Sequence, residues 1–439
     1  MNNSRPTHSR RDFITQTLAA TGAGVLLART VAKAAGSYTS VFSSSGRVRI
    51  PRANEPIRMG VIGTGGMGTG HCESITTLAK QGHENVQIVA VCDVCDPRAE
   101  HAKSKITSIQ GSSPDSYRKH EDLLARDDIH GVLIASPEHW HSQHAIDAIV
   151  AGKDVYCEKP MTLNLDMALA LYKAVNDHPD RMFQVGTQMM QLPKYQEAQK
   201  LVGSGAIGVP TFSQTSYCRN SKDGEWLYYG IDKNWKPGEN LDWDRWCKPL
   251  GGEDWSPEIY ARWRRYRKWS TGIVGDLLVH QMTPLMMALG QGWPTRVVAS
   301  GSHIIDKKME NHDQVNLTIE FQTGHIMTVA GSTCNEVGME NLIRGHKANI
   351  YLGGRHCEMR PERLYVDEIE EQRIDCPDIG NDQDKHRLGW LSSIRTRVPP
   401  LAGVELGTQV MVAVDLATKS MWDGHAYRFD PKTMRAARA

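Results

Sequence analysis

Residues Ile57-Arg58-Met59-Gly60-Val61-Ile62 make an apolar strand that runs directly into Gly63-Thr64-Gly65-Gly66-Met67-Gly68. A strand, a glycine-rich turn and a following helix make up a dinucleotide-binding turn. Gly63 serves the tight turn, Gly65 lets backbone N–H groups approach a pyrophosphate, and Gly68 lets helix and strand pack closely. The helix N-terminus then offers unpaired N–H groups and a positive dipole end to the anion. The next strand, Val86 to Cys92, ends in Asp93, about 25 residues past the last glycine, where a carboxylate can accept hydrogen bonds from an adenosine ribose. A carboxylate there favours NAD, although Arg98 downstream offers a competing phosphate contact that leaves NADP possible.

The rest of the chain extends this beginning into two domains, as its 439 residues suggest. Strand patterns at 58–62, 86–92, 131–135, 154–157 and 182–185 alternate with helix patterns near Ser74, Ala99, Glu121, His144 and Met167, the signature of a doubly wound parallel sheet. After Gly186 the texture changes. A helix at 195–202 precedes strands at 209–217, 296–302, 314–321, 325–331 and 348–352, joined in part by tight turns such as Gln322-Thr323-Gly324. The expected fold class is therefore α/β: an N-terminal Rossmann doubly wound parallel sheet with a C-terminal α+β domain built on a largely antiparallel sheet. The domain boundaries expected are 57–186 and 187–439. A helix at 404–422 could pack across either domain.

The N-terminus carries an address. Ser9-Arg10-Arg11-Asp12-Phe13-Ile14 is a twin-arginine pattern, followed by a mildly apolar stretch from Leu18 to Ala28 and a small-residue site at Ala32-Lys33-Ala34. The stretch is too short and too rich in glycine and alanine for a transmembrane span. Residues 1–34 read as a cleavable leader that engages the twin-arginine export machinery, with cleavage after Ala34. The expected location is periplasmic, or otherwise exported by that route. Residues 35–56 read as a serine-rich linker or arm.

A formal net charge of +1 implies no polyanionic partner. Nine irregularly spaced cysteines argue against a disulfide scaffold, and Cys92 with Cys95 read as buried strand-end thiols rather than a redox or zinc pair. His139, His141 and His144 cluster at a helix start, but no cysteine or carboxylate completes a zinc set, so no metal is expected. The basic and aromatic run from Arg262 to Trp269 could stack nucleic acid, yet an exported protein rarely meets it. A substrate entrance or an interface is the preferred reading, and no nucleic-acid partner is expected. Trp226, Tyr228, Tyr229, Trp235, Trp243 and Trp246 enrich the same insertion, which suggests a carbohydrate-sized cleft, with packed core as the alternative for each.

Further along, Asp154-Val155-Tyr156-Cys157 runs into Glu158-Lys159-Pro160. Strand C-terminal ends gather at the ligand crevice of such a sheet, so Lys159 belongs there. The run Ala135-Ser136-Pro137-Glu138-His139-Trp140-His141, the E-K-P tripeptide, Gly205-Ala206-Ile207-Gly208 and the D-x-x-x-H element at Asp276 and His280 together resemble the Gfo/Idh/MocA family of nicotinamide-dependent oxidoreductases. The resemblance covers nearly everything after Pro56. It departs from the family at Gly186-Thr187-Gln188-Met189-Met190, where many members carry a basic residue. It also departs at the bulky Leu277, Leu278 and Val279 between Asp276 and His280.

The resemblance implies a Lys159 beside nicotinamide and substrate hydroxyl, a His280 that accepts the alcohol proton, and an Asp276 that orients the imidazole or holds a neighbouring hydroxyl. Spacing of four on a helix independently puts Asp276 and His280 on one face. The expected cofactor contacts are Gly63, Thr64, Gly65, Gly66, Met67, Gly68, Asp93, Ser136, Pro137, His141, Glu158 and Lys159, with Glu138 near the nicotinamide half. The expectation is an exported oxidoreductase that moves a hydride between a tightly held NAD, or NADP, and a secondary alcohol of a sugar, polyol or glycoside, in a homo-oligomer. The alternatives are a redox-neutral, nicotinamide-assisted glycoside hydrolase, lyase or epimerase, and a noncatalytic sugar-binding protein that retains the fold.

Overall fold

The computed structural model describes residues 39–42 and 46–439. The leader assigned to residues 1–34 lies outside the described residues, as does part of the arm. What is described of the arm docks along the first domain. The Val41 N–H donates to Asp147 Oδ1 at 2.8 Å, and the Gly46 N–H donates to the Val150 carbonyl at 2.7 Å.

The first half alternates β1 (Ile57–Ile62), α1 (Gly66–Lys80), β2 (Val86–Cys92), α2 (Asp96–Gln110), β3 (Asp115–Tyr117), α3 (His120–Leu124), β4 (Gly131–Ile134), α4 (Glu138–Val150), β5 (Asp154–Cys157), α5 (Leu165–Asp177) and β6 (Phe183–Val185). The strands form one parallel sheet in the order β3-β2-β1-β4-β5-β6. Both faces are covered, so β4 and β5 are buried along their whole length and read as unbroken apolar runs instead of alternating ones. Strand order reverses between β1 and β4. The C-terminal ends of β1, β4 and β5 therefore lie side by side at the switch point, where a doubly wound sheet binds its ligand.

The second half contains α6 (Pro193–Gly203), β7 (Pro210–Cys218), α7 (Trp243–Cys247), α8 (Pro257–Arg262), α9 (Val279–Leu289), β8 (Pro294–Ser302), β9 (Gln314–Phe321), β10 (Ile326–Ser332), β11 (Leu342–Gly345), β12 (Ala348–Leu352), β13 (His356–Pro361), β14 (Gln372–Asp375), α10 (Asp382–Thr396), α11 (Val404–Asp423), β15 (Tyr427–Asp430) and β16 (Arg435–Arg438). Ten strands form a mixed sheet in the order β14-β13-β12-β11-β7-β10-β9-β8-β15-β16. Its pairings are antiparallel except β7 with β10, where Phe212 faces Ile326 in parallel register. That exception follows from the long excursion after β7, which supplies the crossover a parallel pair requires.

Two C-terminal helices tie the halves together. α11 packs against both β8 and α5, so the helix expected at 404–422 meets both domains. α10 was not legible as a helix, being polar apart from a few positions. Its Trp390, Leu391 and Ile394 are buried with Met59, Ile88 and Tyr156 of the parallel sheet.

Candidate active site

The glycine turn is built as its spacing predicts. Gly63 has a φ of 88°, and a Cβ there would lie 2.4 Å from the Ser136 backbone nitrogen. A Cβ on Gly68 would lie 1.9 Å from the Gly63 carbonyl oxygen. Gly65 caps α1 without any side-chain hydrogen bond, leaving the first-turn N–H groups free to meet an anion. In front of them opens a cleft of about 930 Å³. A dinucleotide fits this cradle: the turn is tight where it meets protein and open, at Gly66, where a phosphate would approach.

Of the expected cofactor contacts, Gly63, Gly65, Gly66, Met67, Asp93, Ser136 and Pro137 line the cleft. Thr64, Gly68, His141, Glu158 and Lys159 stand behind or beside it. Asp93 is partly committed, since its Oδ2 accepts from the Thr64 N–H at 2.7 Å and hydroxyl at 3.1 Å, and its Oδ1 accepts from the Cys95 N–H at 2.9 Å. The carboxylate therefore fixes the turn as well as facing the cleft. His141 is a strut, with ring nitrogens 2.8 Å from the Pro160 carbonyl and 2.7 Å from that of Ser136, linking the ends of β4 and β5. His139 donates to the Trp246 carbonyl at 2.8 Å, and His144 shares a hydrogen bond with Ser136 at 3.0 Å.

Lys159 leaves the end of β5 and crosses to the second domain. Its ammonium donates to the Asp276 carbonyl at 2.7 Å and to Asp276 Oδ1 at 3.0 Å. The same Oδ1 accepts from Arg264 Nε at 2.8 Å. Burial alone would raise the Asp276 carboxyl, but the two cations hold it far below the usual carboxylate range. An ammonium has three donors, so one N–H of Lys159 remains for a substrate oxygen.

Of the two roles expected of Asp276, the hydrogen bonds of the structure do not show the first, orienting the imidazole. Asp276 lies in a π-helical turn, Val274–Leu278, that runs into α9. Asp276 is bonded to Lys159 and Arg264, and among the described residues it makes no hydrogen bond to His280. The His280 ring has a buried Nδ1 without a partner among the described residues and sits 6.1 Å from the Tyr217 ring. Burial and the Lys159 charge push the imidazole down to about 3, so it is uncharged at neutral pH.

Glu158 anchors the E-K-P turn from inside. Its Oε1 accepts from His71 Nε2 at 2.8 Å and its Oε2 from the Lys159 N–H at 3.1 Å. Arg387 of α10 donates from Nε to His71 Nδ1 at 2.8 Å. Arginine can only donate, so His71 Nδ1 must accept, and the proton resides on Nε2, facing Glu158. Burial lowers the pKa of that histidine from its ordinary value, against the Glu158 hydrogen bond that raises it. Burial opposes the Glu158 charge too, but the His71 hydrogen bond and the nearby positive charge, that of Lys159 included, together outweigh it and the carboxyl falls to about 2. No local motif announces this chain, because Arg387 is far from His71 in sequence.

Glu138, at the start of α4, is wholly buried against the Ser270 hydroxyl, and burial pushes its carboxyl up to about 8. The aromatic insertion forms core more than platform. Trp243, Trp246, Tyr260, Trp263 and Trp269 bury together with Cys95, and Trp226 is buried too, whereas Tyr228 and Tyr229 are exposed. The basic run is paired internally: Arg262 with Glu258, Arg264 with Asp276, Arg265 with Asp306 and Lys268 with Glu253.

Comparison with known proteins agrees with this architecture. Residues 57–187 match the model of an oxidoreductase family with an NAD-binding Rossmann fold, and residues 243–429 match the C-terminal alpha/beta domain of the same family, Gfo/Idh/MocA. The chain is 28% identical over 212 residues to inositol 2-dehydrogenase of Ralstonia nicotianae, covering 48% of this chain and 59% of that protein. It is 32% identical over 154 residues to inositol 2-dehydrogenase 3 of Saccharopolyspora erythraea, covering 35% of this chain and 43% of that protein. The chain thus spans about half the length of the curated relatives it matches.

Among solved structures, levoglucosan dehydrogenase in complex with NADH and levoglucosan has a TM-score of 0.65 at 18% identity, covering 85% of this chain and 99% of that one. The WlbA dehydrogenase from Bordetella pertussis, in complex with NADH and UDP-GlcNAcA, has a TM-score of 0.62 at 18% identity, covering 86% and 99%. At such identities the likeness is one of fold.

Proposed function

The chain belongs to the Gfo/Idh/MocA family of oxidoreductases and carries its NAD-binding domain, and from that premise we propose an exported dehydrogenase that moves a hydride between a tightly held NAD and a secondary alcohol of a sugar, polyol or glycoside. The observation that carries this reading is Lys159. It stands at the end of the strand next to the phosphate-facing crevice, with its ammonium fixed by Asp276 and one donor left over. The names of the relatives, dehydrogenases of inositol and levoglucosan, support a polyhydroxylated substrate.

When bound, NAD supplies the hydride acceptor. The chain's own residues do the rest. Lys159 donates to the alcohol oxygen and stabilises the negative charge that builds there as the C–H bond breaks. His280, the proton acceptor that the family resemblance implies, is uncharged at neutral pH and so open to the hydroxyl proton. Asp276 holds Lys159 in place and shares its charge with Arg264. Glu158 fixes the backbone from which the lysine extends. Lys159 also bears on the redox-neutral alternative, because glycosidase relatives tend to lose it.

The export half of the reading rests on Arg10, Arg11 and the small-residue site at Ala32-Lys33-Ala34. That route carries folded proteins, so a nucleotide bound in the cytoplasm leaves with the chain, and slow release follows as a requirement. The wide ten-stranded sheet supports assembly with a second copy.

The test combines secretion and turnover. Protein recovered from the periplasm of an expressing host should carry nicotinamide nucleotide through gel filtration and form reduced nucleotide with a member of an inositol, hexose and glycoside panel. Lys159→Met should bind the nucleotide and form none. Cytoplasmic retention would remove the export half. Net glycoside cleavage without reduced nucleotide or keto product would replace the dehydrogenase with the redox-neutral cycle.

A further inference from the structure

The dinucleotide cleft has a second wall that its glycine turn does not announce. Tyr229, Arg245, Trp246, Tyr260, Trp263 and Arg264, all from the insertion after β7, face the turn. The insertion is stitched to the first domain by backbone bonds. The Asp96 N–H donates to the Asn240 carbonyl and the Asp242 N–H to the Val94 carbonyl, each at 2.9 Å, around a bridge between Cys95 and Leu241. This seam brings Trp235 and Tyr260 onto the Arg98 guanidinium, with ring centroids 5.0 and 4.4 Å from its central carbon.

Four guanidinium groups line the cleft. Arg118 is paired with Asp96, Arg245 with Glu121, and Arg264 with Asp276. The Arg98 side chain has no hydrogen-bond or carboxylate partner among the described residues. Its Nη1 lies 3.6 Å from where a Cβ on Gly65 would stand, beside the uncapped start of α1. Asp93, the one carboxylate among the described lining residues, is occupied by Thr64 and Cys95. A guanidinium stacked on aromatic rings keeps its N–H edge free, and that edge matches the oxygens of a phosphate.

We propose that Arg98, held against Trp235 and Tyr260, binds the pyrophosphate of the dinucleotide against the N-terminus of α1. The inference rests on the dinucleotide-binding reading and adds its second side. The helix supplies N–H groups from one direction, and Arg98 supplies charge from the other. The insertion preorganises that charge, since the two rings restrict a side chain that would otherwise sample many rotamers.

Calorimetric titration of NAD, NADP, ADP-ribose and adenosine into wild type, Arg98→Ala, Arg98→Lys and Trp235→Leu, each freed of copurified nucleotide, tests it. Arg98→Ala should weaken NAD and ADP-ribose by roughly 10- to 100-fold and leave adenosine unchanged. Arg98→Lys should fall between, and Trp235→Leu should weaken the same two ligands by a few-fold. Unchanged NAD affinity in Arg98→Ala overturns the proposal. So does an equal loss for adenosine, which would make Arg98 a base-stacking residue, or a loss confined to NADP, which would assign it to a 2′-phosphate. Wild type that binds none of the four would overturn the dinucleotide reading itself, a result distinct from all the others.

Discussion

The glycine turn and the Lys159 cluster lie at the same end of one parallel sheet, after β1 and β5 with β4 between them, yet are specified in opposite ways. The turn is written in six consecutive residues and works through backbone geometry: Gly63 and Gly68 leave no room for a Cβ. The cluster is assembled from the end of β5 and a π-helical turn 117 residues away. It is held by charge, two cations on one carboxylate. The first should therefore fail sterically and all at once, whereas the second should lose its chemistry while the fold and the nucleotide stay.

Substitutions can break this contrast in order of severity. Gly63→Val combines a left-handed backbone with a collision against the Ser136 amide, so nucleotide retention after gel filtration should disappear and Tm should fall. Lys159→Met should lower turnover by about 10²- to 10⁴-fold, with NAD affinity within about two-fold of wild type by titration. If Lys159→Met lost the nucleotide too, the separation of binding from chemistry would collapse. Arg387→Met removes the donor that fixes the His71 tautomer and leaves a buried nitrogen unpaired. A loss of about 1–3 kcal/mol in urea unfolding is expected.

The smallest effect is a pH dependence. Glu138 is raised from the ordinary glutamate value to about 8, so the folded protein holds a proton there that the unfolded chain releases. Its contribution is fully present below about pH 4.5 and is lost as pH rises toward 8. Glu138→Gln escapes that loss, so its Tm relative to wild type should be more favourable at pH 8 than at pH 5. A pH-independent difference would mean that the carboxyl ionises normally.

Legibility in the sequence followed the same divide. The parallel sheet could be read because its strands are buried on both faces, and the turn because glycine has few other reasons to recur at that spacing. The pairing of Lys159 with Asp276 could not, since the two residues lie 117 positions apart and no local pattern links them. Edge strands such as β3 and β14, short and polar, carried no periodic signal. α10 was hidden because only a narrow stripe, centred on Trp390, Leu391 and Ile394, is buried. The tryptophans of the insertion signalled burial or stacking, and only the fold decided for burial.

The central claim is that hydride leaves a secondary alcohol held by Lys159 and His280 and arrives on the bound nicotinamide. Incubating the NAD-loaded protein with perdeuterated myo-inositol and perdeuterated glucose, then weighing the extracted nucleotide by mass spectrometry, tests it most directly. The account predicts reduced nucleotide carrying one deuterium from at least one of the two, abolished in Lys159→Met. Nucleotide that remains oxidised and unlabelled with both, in protein that retains it, would contradict the account.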